Sequence, residues 1–204
     1  MLSRIATAGC VGVMLLACPK QLAADSWDLP TTYDYYSADS SYFVRIVPLL
    51  VPDKYYRWQA AKLKRKNRFS AADTVIVPCH AMLYQRTPTG PRLIWKESLI
   101  NRIAPVEALV SNDGRYVVTF DNWSSMGYGV DVMVVYNNQG HLLKRYNLEQ
   151  LSPFPINQYM RSISSMWWRC DAGFVAADRI AICFQTQDKK TQNRTYSLAK
   201  LDFE

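Results

Sequence analysis

The sequence predicts an all-β protein built from several small antiparallel sheets. The prediction rests first on three strand-like runs at positions 115–121, 131–136 and 142–146. In these runs apolar and polar side chains alternate or β-branched residues dominate. It rests second on the Asn, Asp and Gly residues between the runs, because these residues tolerate the positive φ angles of tight turns. We therefore expect the three strands to follow one another as an antiparallel meander.

Residues 1–24 have the pattern of an export signal. A short positive region precedes an apolar run of about a dozen residues, which suits a signal peptide and is too short to span a bilayer. Cleavage after Ala24 would release a soluble exported chain. Alternatively, the sequence Leu-Leu-Ala-Cys at positions 15–18 resembles a bacterial lipobox, and Cys18 would then carry a lipid anchor. Both interpretations place the protein in the periplasm or the cell envelope.

The remainder of the chain suits one domain with a real core, since the sequence has 204 residues and a hydrophobic content of 49%. Residues 25–41 are polar and rich in tyrosine, and we expect them to form an extended N-terminal arm. The single β-rich domain is expected at residues 42–204, and its first strand at residues 42–47.

The segment at residues 54–68 has a composition unlike the rest of the chain. Its seven positive charges are not balanced by any acid, and they come from Lys54, Arg57, Lys62, Lys64, Arg65, Lys66 and Arg68. A short basic helix and a solvated basic loop both fit this composition. The patch could bind anionic lipid or an acidic protein. Alternatively, it is a solvated surface that binds no partner. Nucleic acid is not an expected partner, because the protein is expected to leave the cytoplasm.

Strands are also expected on both sides of the meander. The expected elements before it are strands at residues 73–77, 81–84 and 92–95, a turn at 87–91 and a helical turn at 97–103. After it we expect a loop at residues 148–155 and a final two-stranded unit at 173–185 and 194–203. Short strands at this spacing suit three small antiparallel sheets or an incomplete propeller.

The cysteines predict one disulfide. Of the five cysteines in the sequence, Cys79, Cys170 and Cys183 lie after position 24. Cys170 and Cys183 flank a predicted hairpin of residues 167–170 and 180–184. We therefore expect an oxidising compartment to pair them and to leave Cys79 as a buried thiol. No Cys-x-x-Cys spacing supports a zinc ribbon or a redox site.

Residues 110–123, with the sequence VSNDGRYVVTFDNW, resemble the inner strand of a β-propeller blade. The shared pattern is a serine, a turn of an acidic residue and glycine, and a buried strand that ends in Asp121. Residues 172–185 with 195–202 are similar to a second copy that lacks the Asp-Gly turn. A complete propeller with blades of about 40 residues would barely fit this chain. The resemblance therefore implies an open or partial β-propeller-like arrangement of the sheets.

The general layout is similar to that of small periplasmic immunity proteins, which neutralise the peptidoglycan amidase effectors of type VI secretion. The similarity lies in the export signal, the chain length, the blade-like sheets and the serine-containing loop at residues 122–130. Proteins of that class are exported, β-rich and non-enzymatic, and they plug a loop into the active site of the toxin. The resemblance implies a secreted peptidoglycan hydrolase as the partner.

The loop at residues 122–130 is also the candidate partner-binding segment by its own composition. It is far longer than a tight hairpin needs, and the two glycines beside Tyr128 suggest a mobile, exposed segment. Trp, Tyr and Met are typical anchors of protein interfaces, although core packing is an equal explanation for them. The candidate partner-binding residues are Trp123, Ser124, Ser125, Met126 and Tyr128.

No convincing catalytic, metal or cofactor site emerges from the sequence. Its two histidines are isolated: His141 lies in a predicted turn, and His80 follows Cys79 directly, so that these two side chains point to opposite faces of a strand. Asp121 and Asp131 flank the loop and would form a cation site or an acid–base pair if they faced one another. The simpler interpretation is that Asp121 caps a turn.

The sequence therefore favours an exported, non-enzymatic protein-binding module. Its most concrete version is an immunity or inhibitor protein that acts through loop 122–130. The alternative is an envelope-associated lipoprotein that binds anionic lipid or an acidic partner through residues 54–68. Neither function calls for a cofactor.

Overall fold

A computed structural model of the protein describes residues 27–50 and 76–204. The predicted signal peptide at 1–24, the lipobox cysteine Cys18 and the basic segment at 54–68 lie outside the described residues. The described part contains 14 strands in four antiparallel sheets, which confirms the predicted all-β class. None of the helices in this part has the length and apolar character that a membrane span requires.

The first sheet is a four-stranded meander of β1 (Tyr33–Tyr36), β2 (Tyr42–Val47), β3 (His80–Thr87) and β4 (Gly90–Ser98). The predicted arm at residues 25–41 thus includes a strand, because β1 pairs with β2 along its whole length. The predicted helical turn at 97–103 is wrong, since β4 continues to Ser98 and no helix follows it before Pro105. In the described residues, the strand expected at 73–77 is a single bridge between Leu50 and Val77.

The second sheet is the predicted meander with one further strand. Its members are β5 (Pro105–Val110), β6 (Tyr116–Asn122), β7 (Met133–Asn137) and β8 (Leu142–Tyr146). The additional strand β5 begins with a proline, which is tolerated at the first position of a strand because its missing N–H is not needed there. Gly114 has a φ of +67° in the β5–β6 turn. The Asp113 carboxylate stabilises the same turn by accepting hydrogen bonds from Ser111 and Arg115.

Two further sheets form the C-terminal part. A two-stranded sheet pairs β9 (Met160–Arg161) with β10 (Met166–Trp167). The last sheet is a meander of β11 (Arg169–Ala176), β12 (Arg179–Gln185), β13 (Thr191–Ser197) and β14 (Asp202–Phe203). The predicted two-stranded unit at 173–185 and 194–203 is therefore wrong. Residues 173–185 contain the β11–β12 turn, at Ala177 and Asp178, so they belong to two strands.

A short helix lies within the segment 148–155 that the two prolines had suggested to be a loop. This helix, α1 (Leu148–Leu151), begins after Asn147, whose side chain accepts a hydrogen bond from the Gln150 N–H. The Gln150 side chain in turn accepts one from the Asn147 N–H. The reciprocal capping box stabilises the first turn, and the buried leucines at both ends of the helix pack into the core.

The second sheet packs between the first and the last sheets and is buried on both faces. On one face, Val118 and Phe120 pack in a cluster with a row of β12 side chains, which are Ile180, Ile182 and Phe184. On the other face, Val117 and Val134 pack with side chains of the first sheet, including Val44, Ala81 and Leu83. Each fully buried apolar side chain stabilises the fold by about 1.5–3 kcal/mol. The second sheet therefore joins the other two into one packed unit.

The predicted disulfide is confirmed. Cys170 and Cys183 lie on the adjacent strands β11 and β12, with their Cα atoms 5.3 Å apart, and are joined. Cys79 is the free thiol of the described residues and is only 1% exposed. Burial raises the pKa of the Cys79 thiol to about 12, so this cysteine is a core residue and a poor nucleophile.

We predict that replacing both Cys170 and Cys183 by alanine lowers the free energy of unfolding by about 3 kcal/mol, because the bridge closes a short loop of the unfolded chain. The separation of 13 residues between the two cysteines sets this magnitude. Urea denaturation checks it. The wild-type protein in reducing buffer is the control and should match the double variant. An unchanged midpoint in both samples would contradict the prediction.

Candidate functional site

The loop at residues 122–130 is held by two other segments of the chain. It lies beside residues 27–30, which precede the first sheet, and beside residues 162–165, which connect β9 to β10. We call these three segments together the tethered surface. They are far apart in the sequence, so only the fold brings them together.

Trp123 joins the loop to the N-terminal segment. Its indole N–H donates to the Asp28 carbonyl at 2.9 Å, and its ring meets the Trp27 ring edge-on, with the centroids 5.2 Å apart. The Trp27 indole N–H donates to the Ser164 hydroxyl at 3.2 Å, which joins this segment to residues 162–165. The Trp123 backbone N–H also donates to the Ala104 carbonyl. The position of the Trp123 ring is therefore fixed from several sides.

Met126 and Tyr128 join the loop to β10 and to the β9–β10 connection, respectively. The Tyr128 hydroxyl donates to the Ser162 carbonyl at 2.9 Å. The Met126 carbonyl accepts a hydrogen bond from the Met166 N–H at 2.8 Å. Tyr128 also packs against the core cluster that contains Phe120. The loop thus differs from the mobile segment that its glycines suggested, because both of its halves are bonded to neighbouring elements.

The base of the loop depends on the carboxylate of Asp121. Regular strand alternation would place Asp121 on the same face of β6 as Val117, but Asp121 has a φ of +59°, which turns its side chain out of that alternation. Its Oδ1 atom accepts hydrogen bonds from the Gly127 N–H at 2.7 Å and from the Trp168 indole N–H at 2.9 Å. Asp121 therefore does cap a turn, and it also bonds the loop to the segment between β10 and β11.

The Asp121 side chain is almost completely removed from water, with only 1% of its surface exposed. This burial raises the pKa of Asp121 from 3.8 to about 6, although the Trp168 hydrogen bond, the nearby Arg169 charge and the Gly127 N–H all oppose the increase. The Arg169 guanidinium lies over the Phe120 ring, 4.3 Å from its centroid, and pairs with Glu107 at 2.6 Å. The loop is therefore built on a buried charge that its neighbours only partly stabilise.

The structure places the predicted binding residues at different depths. Ser124 is exposed, whereas Trp123, Ser125, Met126 and Tyr128 are partly buried. Core packing and surface display thus both apply to this loop: its aromatic rings hold it in place, and Ser124 faces solvent. Ser124 also has a φ of +59°, a strained backbone conformation for a residue with a side chain.

Each segment of the tethered surface carries one strongly exposed apolar side chain. These are Leu29, 90% exposed, Val130, 55% exposed, and Ile163, 73% exposed. The sequence alone does not single them out, because isolated apolar residues in loops are common and only the fold brings these segments together.

Trp123 also borders two recesses. One has a volume of about 360 Å³ and is walled by Pro30, Thr31, Tyr33, Tyr35, Ile46 and Pro105. The other has a volume of about 250 Å³ and is walled by Ile100, Arg102, Ile103, Asn122, Ser124, Ser125 and Asp131. The first is mostly apolar and the second carries charged groups, so the surface around Trp123 has two chemically different sides.

The two aspartates that flank the loop have different partners. Asp131 forms an ion pair with Arg145 at 2.7 Å, whereas Asp121 accepts from Trp168 and Gly127. Across residues 27–50 and 76–204, no three or more His, Cys, Asp or Glu side chains are arranged to hold a metal ion. His80 is partly exposed beside the buried Cys79, which agrees with the opposite directions expected from strand geometry.

Comparison of the chain with protein-family models, with curated proteins and with solved structures gives no match.

We predict that Asp121→Asn removes a pH dependence of stability between pH 4 and pH 6. The pKa of Asp121 is about 6 in the folded protein, whereas its ordinary value of 3.8 applies to the unfolded chain. The folded state therefore binds the proton more tightly than the unfolded state does. The contribution of this group therefore makes the wild-type protein more stable as the pH falls through this window, by up to about 3 kcal/mol. Asparagine retains the Oδ1 acceptor and has no proton to bind.

Urea denaturation of both proteins at pH 4.5, 5.5 and 7.0 measures this difference. Trp168→Phe is the control: it retains the carboxylate but removes one donor to it, so the pH dependence should persist and move to higher pH. If the wild-type protein and Asp121→Asn differed by the same free energy at all three pH values, the raised pKa of Asp121 would be wrong.

Proposed function

We propose that this protein is an exported, non-enzymatic protein-binding module that binds its partner through the tethered surface. The observation that carries the proposal is that loop 122–130 is bonded to two remote segments, each of which presents one exposed apolar side chain. A surface fixed before binding loses less conformational entropy on association than a mobile loop does. Exposed apolar groups on such a surface are suited to contact with another protein.

In its most concrete form, the protein is a periplasmic immunity or inhibitor protein that places loop 122–130 at the active site of a peptidoglycan-degrading toxin. Ser124 supports this form, because it is exposed and its backbone is strained, a combination found at functional sites. The disulfide between Cys170 and Cys183 supports an oxidising compartment such as the periplasm.

The arrangement of the sheets supports an open, partial propeller. Three four-stranded meanders follow one another along the chain, and the second packs between the other two. Consecutive blades of a propeller are meanders of this kind. In this proposal each of the three sheets is one blade. The tethered surface joins the loop of the second blade to the segment before the first blade and to the β9–β10 connection before the third.

We predict that Ile163→Asp and Ser124→Arg each weaken partner binding by about tenfold or more, as substitution of an interface anchor does. Both side chains are exposed, so the fold should persist. The purified protein is cross-linked in envelope extract, and the captured partner is tested for hydrolysis of isolated peptidoglycan with and without added protein. Leu93→Asp is the matched control, because Leu93 is half exposed on β4 in the first sheet.

The expected result is capture of a hydrolase that the wild-type protein and Leu93→Asp inhibit and that the two surface variants do not. Undiminished inhibition by Ile163→Asp and Ser124→Arg would contradict a role for the tethered surface. Salt-sensitive binding to anionic vesicles, without capture of a protein, would instead favour the lipid-binding interpretation of residues 54–68.

A further inference from the structure

The apolar recess beside Trp123 presents ring surfaces and few free polar groups. The Tyr35 hydroxyl donates to the Val106 carbonyl at 3.2 Å, and the Trp123 indole N–H donates to the Asp28 carbonyl at 2.9 Å. Tyr33 meets Tyr35 edge-on, with the ring centroids 4.9 Å apart. Because the polar atoms of Tyr35 and Trp123 already have backbone partners, the recess mainly offers apolar contact. Its complement is an apolar side chain.

Two charged side chains line the second recess beside Trp123. Asp131 lines it, but Arg145 already neutralises this carboxylate at 2.7 Å. Arg102 also lines it, is exposed, and has no ion-pair or hydrogen-bond partner in the described part of the chain. A free guanidinium is a fork of donors that matches a carboxylate. The complement of this recess is therefore an acidic group.

We propose that the two recesses together bind one segment of the partner protein, with an apolar side chain between Pro30 and Tyr33 and a carboxylate at Arg102. The inference rests on the proposed function and specifies the chemistry that the partner presents. Because Trp123 borders both recesses, the apolar residue and the acidic residue must be separated by only a few positions in the partner sequence. The fixed Trp123 ring sets this spacing.

Short synthetic peptides test this inference without the partner. The probes are Ac-Gly-Leu-Glu-Gly-NH2 and versions with one or two glycines between Leu and Glu, each with a counterpart that has Gln for Glu or Ala for Leu. The readout is the indole N–H resonance of Trp123 in ¹⁵N-labelled protein, assigned with Trp123→Phe. We expect at least one leucine–glutamate peptide to shift this resonance. This peptide should bind about two- to fivefold more tightly than its glutamine counterpart, which is the size of effect that an exposed ion pair gives. The preference should shrink at high salt.

Variants separate the two recesses. Arg102→Gln should abolish the preference for glutamate and leave the glutamine peptide unaffected, whereas Tyr33→Ala should weaken both. Arg92→Gln is the control, because Arg92 is exposed on β4 and bonded to Gln85, and it should change nothing.

Three results would overturn the inference: no shift of the Trp123 resonance with any peptide, equal binding of the leucine and alanine peptides, or a glutamate preference that survives in Arg102→Gln. Each of these results leaves the proposed function to be judged by capture and inhibition with Ile163→Asp. A failure of the peptide site is therefore distinct from a failure of the protein-binding surface.

Discussion

The buried carboxylate of Asp121 is the constraint on which the shape of the candidate site depends. Desolvation of an ionised carboxylate is costly, and the raised pKa of about 6 reflects that cost. The Gly127 and Trp168 N–H groups and the nearby Arg169 charge offset part of it. The φ of +59° at Asp121 ends the alternation of β6 and directs the carboxylate towards both donors. One residue therefore interrupts the alternation of a strand near its end, closes a turn, and bonds the second sheet to Trp168, which lies just before the last sheet.

A loop built on such a base has a defined shape before any partner arrives. Trp123 and Tyr128 extend the same principle outwards, because each uses its polar atom to bond the backbone of another segment. What remains for a partner is the exposed apolar groups, the exposed Ser124 and the two recesses beside Trp123. The proposed binding function follows from this division, in which buried polar contacts fix the surface and exposed groups are left available.

Local patterns predicted the parts of the structure that local chemistry determines. The three strands after Asp113 and the disulfide between Cys170 and Cys183 were predictable, because alternation, turn residues and a hairpin are short-range signals. The strand β5, the pair β9–β10 and the helix α1 were not predicted. Proline content obscured β5 and α1, and two-residue strands have no period to detect.

The candidate site was only partly predictable, for a related physical reason. Loop 122–130 was conspicuous by its length, but its contacts are with residues 27–28 and 162–166, which lie far away in the sequence. The positive φ of Asp121 departs from simple alternation, which would place its side chain on the opposite face of the strand. The exposed Leu29 and Ile163 acquire meaning only once the fold brings their segments together.

Amide hydrogen exchange in Asp121→Ala tests the central role of this carboxylate most directly. The exchange of the Ile182 amide in β12 is the reference for global unfolding. Relative to the wild-type protein, the Gly127 amide and the Trp168 indole N–H should exchange about tenfold or more faster, because each loses a hydrogen bond to a charged group. In Asp121→Asn, which keeps the acceptor, both should stay protected. Unchanged protection of Gly127 and Trp168 in Asp121→Ala would show that the loop holds its shape without the carboxylate, and would contradict this account.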